Sequence, residues 1–99
     1  MQIMKQQDGP ELTLKIEGRI DTTTAPALED ELKHSVSAAV QTLILDFAQV
    51  AYISSAGLRV LLAAQKVMRK QGNMVVRNVN DMVMEVFEIT GFSDILTIE

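Results

Sequence analysis

The 99-residue sequence predicts an α/β domain, a mixed β-sheet with α-helices laid on it in the order β-β-α-β-α-β-α-β. Three observations carry the prediction. One early segment alternates apolar and polar residues with a period of two, two later segments are short continuous apolar runs, and between and after them apolar residues recur at helical spacing. Alternation of strand and helix after an initial hairpin favours parallel crossovers. The length supports one core and is too short for two, so residues 1–99 form a single domain.

The elements follow in order. "ELTLKIEGRI" places Leu12, Leu14, Ile16 and Ile20 on one side and Glu11, Thr13, Lys15 and Glu17 on the other, a half-buried strand. Gly9-Pro10 makes the turn that pairs it with a short strand over residues 2–7. In "DTTTAPALEDELKHSVSAA" the period changes: Ala25, Leu28, Leu32 and Val36 form a helical stripe. A threonine supplies the N-cap, Pro26 sits in the first turn, and Glu29, Asp30 and Glu31 lie towards the positive end of the dipole. "TLILDF" reads as a strand covered on both faces and ending at Asp46. The second helix is expected from Ser55 to Gln71, with Leu58, Leu61, Leu62 and Met68 on its core face, Lys66, Arg69 and Lys70 near its negative end, and Gly72 as its stop. "NMVVRNV" is a further buried strand, "NDMVMEVFEIT" a third helix between a cap at Asn80 or Asp81 and Gly91, and "DILTI" the last strand. The methionines are expected to fill core space.

Composition narrows the function classes. The chain is 47% hydrophobic and 22% charged, as a folded globule is. With no cysteine and one histidine, it can build neither a disulfide framework nor a Cys/His zinc site, and no other metal site or cofactor is expected. No apolar run approaches the roughly 18 residues of a membrane span, and no charged leader precedes the fold, so a cytoplasmic location without membrane contact is expected. A net charge of −4 argues against direct nucleic-acid binding. The charge is unevenly spread, at −4 over residues 1–46, +5 over 47–80 and −5 over 81–99.

The candidate site is the stretch "AYISSAGLRVLL". Ser54 fits a helix N-cap, which one serine alone satisfies, leaving Ser55 as the first helical residue with its hydroxyl beside free amides. An anion there suits the positive end of the dipole. Gly57 leaves the first turn open to close approach by another backbone. Catalysis by Ser55 is not expected, because the only histidine, His34, lies on another helix and the chain has no G-x-S-x-G elbow, P-loop or G-x-G-x-x-G. Asp21 follows one strand and Asp46 ends another, which places both at the Ser55 end of the sheet. Capping is the expected role of Asp21, and a contact role falls to Asp46.

The stretches "GRIDTTTAPALEDEL", "LILDFAQVAYISSAGLRVLL" and "GNMVVRNVNDMVMEVFEITGFSDIL" together resemble a STAS domain of the bacterial anti-sigma factor antagonist type, over nearly the whole chain. The resemblance implies an exposed sheet flanked by helices and a serine, at the start of the second helix, phosphorylated by an anti-sigma factor serine kinase with a histidine-kinase-like ATPase fold. The unmodified antagonist binds that kinase and frees a sigma factor, phosphorylation ends binding, and a phosphatase resets the cycle. The family's usual run is Asp-Ser-Ser/Thr-Gly-Leu-Gly. Aligned on Gly57-Leu58, Ser54 takes the Asp position, Ser55 the first serine, Ala56 the second hydroxyl position and Arg59 the last glycine. Ser55 is thus the preferred acceptor and Ser54 the second choice. Arg59, one turn on, is placed to hold a phosphate. The implied docking surface comprises Ser54, Ser55, Gly57 and Arg59, with Asp21, Thr22, Thr23, Thr24 and Asp46 at its edge. The alternative is a STAS-type accessory or scaffold subunit of a sensory or lipid-transport complex, without a serine switch.

Overall fold

The computed structural model describes residues 1–99. Its elements are β1 (Gln2–Asp8), β2 (Glu11–Ile20), α1 (Ala25–Ser35), β3 (Thr42–Ile53), α2 (Ser55–Gln71), β4 (Asn73–Arg77), α3 (Asp81–Thr90), a 3-10 turn over Phe92–Asp94, and β5 (Thr97–Ile98). The five strands form one sheet in chain order; β1 and β2 are antiparallel and each later pair is parallel. Element order and sheet class agree with the sequence-based expectation.

The period-two pattern decides which way the sheet faces. Leu12, Leu14 and Ile16 of β2, Leu43, Leu45 and Phe47 of β3, and Met74 and Val76 of β4 join Leu28 and Leu32 of α1, Leu58, Leu61 and Met68 of α2, and Val83 and Phe87 of α3 in one cluster of 22 buried residues. All three helices therefore cover one face; no helix lies on the opposite face, although Ile44 and Val75 at its centre are buried. A right-handed crossover repeated in one direction across the sheet produces this arrangement.

Several local expectations are corrected. β3 does not end at Asp46. Its ladder with β4 stops there, opposite Arg77, but the strand continues beside β2 to Ile53, across irregularities at Lys15/Glu17 and Gly18/Arg19. Asp46 and Gln49 interrupt the apolar run, which hides the extension from a periodicity reading. Thr24 precedes α1, but its backbone is already helical and its hydroxyl makes no cap bond. Glu29, Asp30 and Glu31 fall beyond the first turn of α1, and Val36 follows its last residue. The last strand is shortened to Thr97–Ile98, because Gly91, at φ 82, turns the chain into a 3-10 segment first. Met68 and Met74 are core residues, whereas Met4 and Met82 are exposed.

Candidate functional site

The site grows from the carboxyl ends of β2 and β3. Ser54 N–H donates to the Ile20 carbonyl at 2.8 Å and so ties the residue leaving β3 to the last residue of β2. Ser54 is extended (φ −99, ψ 175) and acts as N-cap, its Oγ accepting from Gly57 N–H at 3.5 Å. At that length the cap bond is weak. Ser55 is the first residue of α2 and is exposed, while Ser54 and Ala56 beside it are half-buried. Of the two serines, only Ser55 has a side chain free of hydrogen bonds within the chain.

Gly57 does not open the turn to a partner, as the sequence suggested. It is buried, and a Cβ built on it would lie 2.7 Å from Ile20 Cγ2 and 2.8 Å from Ile53 Cγ1. The close approach is made by the chain's own sheet. Gly57 therefore seats α2 on β2 and β3 and stands beneath the surface.

The loop after β2 forms the neighbouring wall. Asp21 Oδ1 accepts from Thr23 N–H (3.0 Å), Thr23 Oγ1 (2.8 Å) and Thr24 N–H (3.1 Å), an Asx-type turn. These bonds, the Thr23 hydroxyl first and the Thr24 amide next, hold the Asp21 carboxyl below its ordinary pKa. Thr24 Oγ1 accepts from Asp21 N–H at 2.8 Å and donates to the Arg19 carbonyl at 2.7 Å, which explains why it is unavailable to cap α1. Thr22 and Thr23 are exposed. Between this loop and the start of α2 lies an open hollow of about 200 Å³, with Thr22, Ala25, Pro26 and Glu29 on one side and Ala56, Arg59 and Val60 on the other. Thus Thr22 and Arg59 share one hollow, and the Ser54–Ile20 bond sets the start of α2 beside the loop that begins at Asp21. Arg59 is exposed and takes part in none of the chain's three ion pairs.

Asp46 does not join them. It sits opposite Lys15 in the middle of β2, six residues before Asp21, or about 20 Å along the strand at ~3.3 Å per residue. Its Oδ1 accepts from Asn78 Nδ2 and Ala48 N–H, each at 3.0 Å, and these bonds hold its pKa low. The two aspartates therefore form no carboxylate pair. His34 is exposed on the last turn of α1, with Nδ1 2.7 Å from the Asp30 carbonyl, while the hollow beside α2 is lined from α1 by Ala25, Pro26 and Glu29. Glu29, the nearest of these to His34, is five residues or about 7.5 Å away along the helix at ~1.5 Å per residue, and the imidazole bonds the Asp30 carbonyl of its own helix, so His34 is not placed as a base for Ser55.

The sequence reading missed Arg19 and Tyr52. They are register partners at the ends of β2 and β3, with the guanidinium 4.3 Å from the ring centroid and Arg19 Nε 3.8 Å from Asp21 Oδ2. Only the pairing register reveals this contact, because the two residues lie 33 positions apart in the chain.

The sequence matches the STAS domain family over residues 2–99. The chain belongs to that family. BtrV of Bordetella bronchiseptica is 39% identical over 84 residues, covering 84% of this chain and 72% of that protein. The anti-sigma-B factor antagonist of Listeria monocytogenes is 34% identical over 98 residues, covering 97% of this chain and 85% of that one. Among solved structures, an anti-sigma factor antagonist from Mycobacterium paratuberculosis shares the fold with a TM-score of 0.89 at 23% identity, covering 98% of this chain and 83% of that one. No helix of this STAS domain is long and apolar enough to cross a membrane.

Proposed function

We propose that this STAS domain is an anti-sigma factor antagonist that binds an anti-sigma factor kinase while Ser55 is unmodified and is released when Ser55 is phosphorylated. The names borne by its relatives support the antagonist role. One observation carries the switch: Ser55 opens α2 with an exposed hydroxyl, while Ser54 supplies the cap and Ala56 has no hydroxyl. The acceptor is then accessible without unwinding the helix.

The mechanism is electrostatic and local. A phosphate adds about −1.5 to −2 charges at neutral pH. In the free chain that charge meets the positive end of α2 and Arg59, one turn on, so the fold tolerates it. Pressed into a closely fitted partner, the same anion loses water without gaining a counter-charge, at a cost of about 2 to 5 kcal/mol. Affinity falls by roughly 30-fold to several thousand-fold, which is a switch without refolding. The docking surface is the exposed rim of Thr22, Thr23, Ser55 and Arg59, with the half-buried Ser54 between them. Asp21 sets the shape of the loop, Gly57 lies beneath it, and Asp46 is outside it.

Incubation with the cognate anti-sigma factor and ATP, followed by mass-spectrometric mapping, tests the assignment. Phosphate is expected on Ser55 and absent in Ser55→Ala. Modification confined to the Asp21 to Thr24 loop, or none at all, contradicts it.

A further inference from the structure

The open face of the sheet carries a pattern that the Ser55 site does not use. Lys15 of β2 is the register partner of Asp46 of β3, Asp46 is the partner of Arg77 of β4, and Arg77 Nε lies 3.1 Å from Glu99 Oε1 just past β5. With Met4 of β1, the register partner of Lys15, as an uncharged member at the edge, these side chains make one row across the sheet whose four charges run plus, minus, plus, minus over β2 to β5. They belong to the face away from the helices, since Leu14, Leu45 and Val76, next to them in the chain, lie in the core under the helices. In the adjacent row Thr13, Ile44, Val75 and Thr97 are aligned in register. Its two middle members are 3% and 5% exposed, although no helix covers them and neither belongs to the core cluster.

Reversing the order of such a row inverts every sign. Two copies stacked face to face, related by a two-fold axis running along the strands between β3 and β4, set Lys15 against the partner's Glu99 and Asp46 against the partner's Arg77, and leave β1 of each copy outside the overlap. The same operation sets Thr13 against the partner's Thr97, while Ile44 and Val75, already buried within their own chain, add almost no free apolar surface, so the charged row carries the contact. A two-fold axis along the row instead sets each charge against its own copy, and is repulsive. The charge pattern therefore selects one closed, isologous arrangement.

We infer that the open face of the sheet is a self-association surface on which a second copy of this chain docks through the reversed Lys15–Asp46–Arg77–Glu99 row. The overlapped part of the face measures about 14 by 17 Å, from three strand intervals of ~4.8 Å and five residues of ~3.3 Å. It is smaller than the ~800 Å² per partner of a standard interface, so the dimer is weak, reversible and sensitive to salt. It leaves the helices and Ser55 on the outside of both copies, and it stands whether or not Ser55 is a switch.

Sedimentation and amide-shift mapping of the full chain test it. At about millimolar protein and low salt the wild type is expected to sediment above monomer mass and to shift amides of Thr13, Lys15, Ile44, Asp46, Val75 and Arg77 on dilution. About 1 M salt, where screening acts within ~3 Å, should abolish both signals. Lys15→Glu alone places like charges at two of the four cross-copy pairs, as does Glu99→Lys alone, and each should weaken association at least about tenfold. An equimolar mixture of the two variants restores opposite signs between unlike copies and should dimerise again, whatever each change does within its own chain. A wild type that stays monomeric at about millimolar concentration, dilution shifts confined to the helices, or a mixture no better than either variant overturns the inference.

Discussion

Replacing Gly57 by alanine sets two effects of known sign against each other. Alanine is the better helix former by about 1 kcal/mol, and Gly57 lies in the first turn of α2, so propensity alone predicts a more stable protein. The added methyl, however, would meet Ile20 Cγ2 at 2.7 Å and Ile53 Cγ1 at 2.8 Å, both closer than real Cβ contacts. Those side chains are 0% and 2% exposed, and their strands are joined by the Ser54–Ile20 backbone bond, so neither has open space to turn into. Overpacking of this kind costs about 1 to 3 kcal/mol, and the net expectation is a loss of about 1 kcal/mol. For a domain of this size that lowers Tm by about 4 to 8 °C. Thermal unfolding followed by circular dichroism is the assay. A Tm equal to or above the wild type would show that α2 lifts off the sheet freely, and would refute the reasoning that Gly57 fixes where Ser55 sits.

Other expectations follow from the same contacts. Asn80→Ala should destabilise by about 1 to 2 kcal/mol, since Asn80 caps α3 through a 2.8 Å bond to Val83 N–H; Ser54→Ala, losing a 3.5 Å bond, should cost about half as much or less, and equal losses in denaturant titrations would contradict the ranking. Asp21 and Asp46 have carboxyls lowered from 3.8 in the fold, so the unfolded chain takes up their protons first; their stabilisation is complete above pH 3.8 and is lost as pH falls through the lower folded values. Asp21→Asn and Asp46→Asn should each flatten the decline in stability below that pH, and an unchanged acid limb in pH-dependent unfolding would count against the hydrogen-bond origin. With Ser55 phosphorylated, Arg59→Ala should be less stable than the phosphorylated wild type by about 0.3 to 1 kcal/mol, as expected for an exposed charge pair; identical melting curves remove Arg59 from the phosphate.

Most of the fold was legible because its period changes are clean. The stripe Leu58, Leu61, Met68 and the alternation Leu12, Leu14, Ile16 each have one structural solution, and α2 begins and ends where the sequence places it. Legibility stopped where a residue's role depends on a partner remote in the chain. Asp46 looked like a strand end because the apolar run stops there; in fact β3 merely parts from β4 and continues beside β2. Gly57 looked like an opening because a missing side chain is the same signal whether the approaching group is another protein or Ile20 and Ile53. Thr24 looked like a cap, but the Arg19 carbonyl competes for its hydroxyl. Ser55 needed no such information, since its place as the first residue of α2, after Ser54, is legible from the helical stripe alone.

Affinity of the cognate anti-sigma factor for this chain, measured by calorimetry with Ser55 bare and with Ser55 phosphorylated, tests the switch most directly. A drop of roughly 30-fold or more on phosphorylation, with both forms folded and equally stable within about 1 kcal/mol, is the predicted result. Equal affinity for the two forms would contradict it.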